Sequence, residues 1–189
     1  MKYLPCVLPG LSLLFLMTAC TVVTPKNPVL HDFGPPVSIS VDDNGKQDNK
    51  PMISVDAPTW LWDNRIRYRP LYASPTRVGY YALDLWAASP PELFEQLLIA
   101  GGKTRNYALI IRLQDFEQQF DAPGRSRVVL RFSAEAYAGD TNKKAGTREF
   151  YRERPTSTPD AAGAVDAFAY LTRQAAGDIQ GWLAALPGQ

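Results

Sequence analysis

The sequence predicts an α+β sandwich: a single domain in which a mostly antiparallel sheet carries two main helices on one face. Three observations lead there. Residues 107–154 hold three stretches that alternate or run apolar between turn-forming segments. Two other stretches repeat apolar residues at three- and four-residue spacing, and the order along the chain is strands, helix, three-strand meander, helix. Two amphipathic helices and a sheet with one polar face bury most when both helical stripes lie on the same side of the sheet.

The strands come first. Met52 to Asp56 alternates, with Ile53 and Val55 on one side, and Pro58 stops it. In TWLWDNRIRYRP, Ile66 and Tyr68 alternate with Arg65, Arg67 and Arg69, which predicts a half-buried strand with a cationic, solvated outer face. Val78 to Trp86 (VGYYALDLW) is an aromatic strand in which Asp84 is the only charge. Tyr107 to Phe116 begins apolar on both faces, as a central strand does. Arg127 to Tyr137 alternates cleanly, Asp121 to Ser126 (DAPGRS) is a hairpin turn before it, and Gly146 to Arg154 follows the polar turn GDTNKKA as a third meander strand.

The helices have distinct signatures. Ser89-Pro90-Pro91-Glu92 places a capping hydroxyl, a proline at the first helical position and a capping-box glutamate three residues on. Leu93, Phe94, Leu97 and Leu98 then form one stripe and Gly101-Gly102 ends it, predicting a helix over Pro90 to Ala100. Val165, Phe168, Thr172, Ala175, Ile179, Trp182 and Leu186 mark a longer helix laid on the sheet.

Ahead of the domain lies a different kind of sequence. Lys2, an apolar run from Leu8 to Met17 and small residues before Cys20 read as a secretory signal over residues 1–19. The run is too short to span a bilayer, which takes about 20 residues for about 30 Å of hydrocarbon. Met17-Thr18-Ala19-Cys20 resembles a bacterial lipobox, with Met where Leu is usual, and that resemblance makes Cys20 the acylated first residue of the mature chain. Thr21 after it, rather than Asp, resembles the pattern sent on to the outer membrane. Residues 20–51 then read as the acylated Cys and a tether, rich in Pro and ending in DDNGKQDNK, with a brief strand permitted at Val37 to Val41. His31, the sole histidine, falls in this tether and reads as exposed. The folded domain is expected over residues 52–189.

Composition excludes several classes of function. Removing Lys2 from 20 basic residues leaves 19 against 19 acidic, without the cationic excess that nucleic acid demands. Cleavage removes Cys6, and acylation of Cys20 leaves no thiol for redox chemistry or metal binding. With one histidine in a tether, Ser-His or Cys-His catalysis lacks its base, and no metal-ligand spacing, phosphate loop or cofactor motif is present. Asp56, Asp63, Asp84 and Glu92 could form a glycosidase-like pair, but each fits a cap, a strand end or a turn.

The candidate site is aromatic and cationic. Trp60, Trp62, Arg65, Arg67, Tyr68 and Tyr72 bring together the residue types that dominate binding hot spots, and part of this run is expected to form a partner surface. Trp60 and Trp62 share strand parity; core packing is the competing account of such residues, and for Tyr81 and Trp86 it is the expected one.

The layout of lipobox, Pro-rich tether, ISVDAPTWLWDNRIRYR (Ile53 to Arg69) and GYYALDLWAASPPELFEQLL (Gly79 to Leu98) resembles the ABC-type transport auxiliary lipoproteins. The second stretch carries most of the likeness, through an aromatic strand ending in Trp86-Ala87 and a proline-initiated helix. HDFG, His31 to Gly34, faintly echoes the aromatic segment that follows the anchor in that family. The resemblance implies an outer-membrane lipoprotein facing the periplasm, without enzymatic activity, that serves an MCE/ABC-type lipid-transport system by docking its MCE-domain protein. It further implies an α/β sandwich, phospholipid as a candidate ligand and ring-like homo-oligomers. Two other expectations fit the same anchor: a glycan- or peptidoglycan-binding module, and an assembly lipoprotein supporting another envelope complex.

Overall fold

A computed structural model of the chain describes residues 26–35, 52–101, 107–139 and 141–186. The signal, Cys20, the Val37 to Val41 strand and the run Asp42 to Lys50 lie outside the described residues.

The sheet is mixed rather than mostly antiparallel. Its strands are β1 (Val29–His31), β2 (Ile53–Asp56), β3 (Arg65–Pro70), β4 (Gly79–Trp86), β5 (Tyr107–Ala122), β6 (Arg125–Ala138) and β7 (Lys144–Pro155), ordered β1-β4-β3-β5-β6-β7 with β2 beside β5. The C-terminal meander β5-β6-β7 is antiparallel, as expected, but β2 and β3 both run parallel to β5. They share one edge of that long strand, β2 along Leu109 to Arg112 and β3 along Gln118 to Phe120. Helix α1 (Pro90–Ala100) is the reason. It intervenes between β4 and β5 and packs on β2, so the chain returns beside β2 in the same direction, as a crossover connection does. The 3-10 turn Thr59–Leu61 joins β2 to β3.

Both helices lie on one face. Helix α2 (Ala161–Ala185) crosses β6 and β7 and touches α1. At the start of α1, Glu92 Oε2 accepts from Ser89 N at 2.9 Å and from Ser89 Oγ at 2.6 Å, the reciprocal half of a capping box. At the start of α2, Asp160 Oδ1 accepts from Gly163 N at 2.9 Å and from Thr158 Oγ1 at 2.7 Å. A Cβ on Gly163 would meet the Thr158 carbonyl oxygen at 2.2 Å, so the cap needs glycine there. The β5–β6 turn holds Gly124 at φ 73°, the left-handed region that glycine enters without strain.

A bulge in β5 explains its two-faced hydrophobicity. Leu109, Ile111 and Leu113 face the helices, the register then slips at Gln114, and Phe116 and Gln118 take over the inward positions. Around Phe116 an aromatic cluster fills the core: Phe168 stacks on it with centroids 3.9 Å apart, and Trp86 meets it edge-on at 5.8 Å.

The fourth member of that cluster is Phe33, from the segment expected as tether. It is buried, with its ring 5.5 Å from Trp86 and 5.9 Å from Phe116. Just before it, β1 pairs in parallel with β4. His31, expected exposed, instead bonds Asp84 Oδ1 through Nε2 at 2.9 Å, and Arg173 Nη2 donates to the Phe33 carbonyl at 2.5 Å. Residues 26–35 are therefore partly a structural clip across the sheet edge and α2.

Candidate partner-binding face

The face of the sheet turned away from the helices is a grid of cross-strand charges. Arg131 pairs with Asp115 at 2.6 Å, Arg112 and Lys144 share Glu135 at 2.9 and 3.1 Å, and Arg127 binds Asp121 and Glu153. Hydrogen bonds from Tyr137, Arg112 and Lys144 lower the Glu135 pKa to about 2. The grid matches its own charges, leaving little net field to draw a charged ligand.

One part of this face is built differently. The 3-10 turn projects Trp60 over β3, where the Arg67 guanidinium lies 4.3 Å from its ring centroid. Arg67 is held from below: its Nε donates to Glu117 Oε2 at 2.9 Å. The same carboxylate accepts from Arg69 Nε at 2.8 Å, Arg69 Nη2 at 3.1 Å and Gln119 Nε2 at 3.0 Å. Glu117 is only 5% exposed. Burial alone would raise its pKa, but the bonds from Arg69, Gln119 and Arg67 outweigh that and hold it below 4.5. Arg67 and Arg69 are thus ion-paired supports rather than the solvated face expected of them.

Beside this support, Trp62 is pinned by an Nε1 hydrogen bond to the Ala57 carbonyl at 3.0 Å. Arg65 lies 3.9 Å from the Tyr80 ring centroid and donates through Nε to Asp63 Oδ2 at 2.6 Å. That bond lowers the Asp63 pKa below 3.8. Trp60 and Trp62 remain 42% and 46% exposed although their contacts fix their orientation. Between Trp62 and the start of α1 lies an open cleft of about 580 Å³, lined by Trp62, Asp63, Arg65, Ala88, Ser89 and Glu92.

The structure brings Trp60, Trp62, Arg65 and Arg67 together and separates the other two residues of the candidate run. Tyr68 points to the helix side, its ring 5.0 Å from Tyr81 and 5.9 Å from Phe120, and belongs to the packing there. Tyr72 is 51% exposed in the loop after β3, where its amide bonds the Phe120 carbonyl at 3.3 Å near the β5–β6 turn. The two tryptophans lie on a helical turn, not on a strand, so parity could not relate them. Sequence reading misses Glu117; Arg69 and Tyr80 stand in the aromatic and cationic stretches it marks, but their roles depend on β3 lying against β5 and on the β3–β4 bulge. The carboxylates considered for catalysis are engaged elsewhere: Asp56 with the Ala57 amide, Asp63 with Arg65, Asp84 with His31 and Glu92 with Ser89.

No protein-family model and no curated protein matches the chain. Solved structures do. A Xanthomonas campestris protein described by the family model DUF330 is 20% identical, the match covering 84% of this chain and 91% of that one with a TM-score of 0.61. An uncharacterized protein is 13% identical over 82% of this chain and 97% of its own, with a TM-score of 0.60. At these identities the likeness shows the fold alone. Among the described residues, no helix is long and apolar enough to cross a membrane.

Proposed function

We propose that this chain is an envelope lipoprotein, acylated at Cys20 and held at the periplasmic side of the outer membrane. It serves as a non-enzymatic docking subunit of an MCE/ABC-type lipid-transport system. The anchor rests on the N-terminal sequence, and the transport assignment rests on the resemblance of Ile53 to Leu98 to the auxiliary lipoproteins. The observation that carries the docking role is the Trp60–Trp62 turn: two large aromatic rings, half exposed, held in fixed orientations by Arg67, Glu117 and the Ala57 carbonyl. Rigid aromatic anchors beside arginine lose little entropy on binding and are the residues on which protein interfaces concentrate their energy.

An affinity pull-down of the tagged lipoprotein from detergent-solubilised envelopes, with bound proteins and lipids identified by mass spectrometry, tests this reading. Recovery of an MCE-domain protein is expected, and phospholipid retained through stringent washing would add direct lipid handling. Retention on purified peptidoglycan with no MCE-domain protein recovered would replace the reading with a glycan-binding one.

A further inference from the structure

The clip formed by residues 26–35 limits how far the domain can stand from its anchor. Eight residues, and so nine Cα–Cα steps, separate Cys20 from Val29. At full extension they reach about 32 Å. Val29 does not sit at the end of the sheet. The registers run from Leu30 to Leu85, from Leu85 to Arg65, and from Tyr68, in the same strand as Arg65, to Gln118. They place Val29 about eight residues, or about 26 Å at strand rise, short of the Gly124 turn. Because β1 runs opposite to β5, the chain preceding Val29 heads toward that turn. Little length is left beyond the rim of the sheet. Any other exit still keeps the β1–β4 edge within the same reach of the bilayer.

The corner between the β1 edge and the Gly124 turn suits a lipid interface. Val29, Leu30 and Tyr72 are 55%, 62% and 51% exposed. Lys26, Arg77 and Arg125 are exposed there and have no ion pair among the described residues. The acidic side chains along this corner are held by other groups: Asp32 by the Gly34 amide, Asp84 by His31, Asp121 by Arg127, and Asp160 by the α2 cap. Aromatic and aliphatic groups flanked by unpaired cations match the interfacial layer of a phospholipid bilayer, where tyrosine rings settle and Lys or Arg meets phosphate.

We propose that this corner of the sheet, between the β1 edge and the Gly124 turn, rests on the bilayer in which Cys20 is anchored: Val29, Leu30 and Tyr72 enter the interfacial layer, and Lys26, Arg77 and Arg125 contact lipid phosphates. The inference rests on acylation of Cys20. It gives the domain a fixed orientation, with the β6–β7 loop and the free edge of β7 directed away from the membrane and the Trp60–Trp62 turn standing partway up the outer face.

The test uses the full acylated lipoprotein reconstituted in vesicles of phosphatidylethanolamine and phosphatidylglycerol. Acylation consumes the Cys20 thiol, so Tyr72→Cys and, at the opposite end, Thr141→Cys each offer a single site for a fluorophore. Headgroup spin-labelled lipid should quench the label at residue 72 several-fold more than the label at residue 141. Equal quenching, or stronger quenching at residue 141, in protein whose N-terminal peptide carries acyl chains by mass spectrometry would overturn the orientation alone. An unmodified Cys20 in that spectrum would remove the anchor reading and the inference with it. Arg77→Cys provides a second rim reporter should Tyr72→Cys fail to fold.

Discussion

The two halves of the domain are assembled by different rules. In the C-terminal half, β5, β6 and β7 pair with the neighbours next in sequence, and α2 closes over β6 and β7. In the N-terminal half, β1 finds β4 across more than fifty residues, and β2 and β3 lie parallel to a strand reached only after α1. The local half is a scaffold whose exposed face balances its own charges. The non-local half holds the exposed tryptophans and the clip of residues 26–35, and its arginines close on the buried carboxylate that β5 supplies. The exposed, firmly supported tryptophans stand where distant segments are brought together, while the meander supplies a rigid base for them.

The largest effect should come from the clip. Phe33→Ala removes a buried ring from between Trp86 and Phe116, and such truncations cost about 3–5 kcal/mol. Urea unfolding should report a loss of that order, with residues 26–35 becoming protease-sensitive before the β5–β7 meander. A clip that stays protected would show that β1 is held by other contacts.

Next is Glu117→Gln, which leaves Arg67 and Arg69 without their shared carboxylate. Breaking a fully buried pair costs about 3–5 kcal/mol. Since these arginines are 12% and 21% exposed, about 2 kcal/mol is expected here. Destabilisation below about 0.5 kcal/mol, the range of ordinary surface substitutions, would place the network among dispensable surface pairs.

The same carboxylate sets a pH response. Its folded pKa lies below the reference value of 4.5, so the stability it supplies is present above the unfolded pKa and is lost as pH falls through the folded one. Urea midpoints should therefore stay level from neutrality toward pH 5 and decline below it, with a shallower decline in Glu117→Gln. Equal slopes in the two proteins would assign the acid sensitivity to other groups.

The smallest effect on stability, and the largest on binding, is expected at the turn. Trp60→Ala loses a partly exposed cation–π contact worth about 1 kcal/mol, so the double variant Trp60→Ala, Trp62→Ala should fold almost normally while recovering at least tenfold less partner. Loss of the folded state would return both residues to a purely structural role.

Legibility in the sequence follows the same division. Helix α1 occupies Pro90–Ala100 as its capping box and terminal glycines indicate, and the meander strands differ from their expected bounds only at their ends. Those signals are local, because a cap, a turn or an alternation is complete within one segment. The parallel pairings and the clip at Phe33 needed knowledge of which strands adjoin, and no periodicity in the chain encodes that; the opposed facing of Arg67 and Tyr68, by contrast, is written in the alternation of β3. The candidate site was half legible for this reason. Its residue types marked Trp60, Trp62, Arg65 and Arg67, but β5 supplies Glu117 beneath them, while the alternation along β3 already sets Tyr68 on the opposite face.

The most direct test of the account is a parallel pull-down of three proteins from solubilised envelopes: wild type, Trp60→Ala with Trp62→Ala, and Tyr151→Ala with Tyr170→Ala. The second pair removes aromatics of matching exposure, 50% and 42%, from the C-terminal half. An MCE-domain protein should be recovered with the wild type and the tyrosine variant and lost with the tryptophan variant. Equal recovery with all three, or loss with the tyrosine variant alone, would contradict the placement of the docking surface on the N-terminal half.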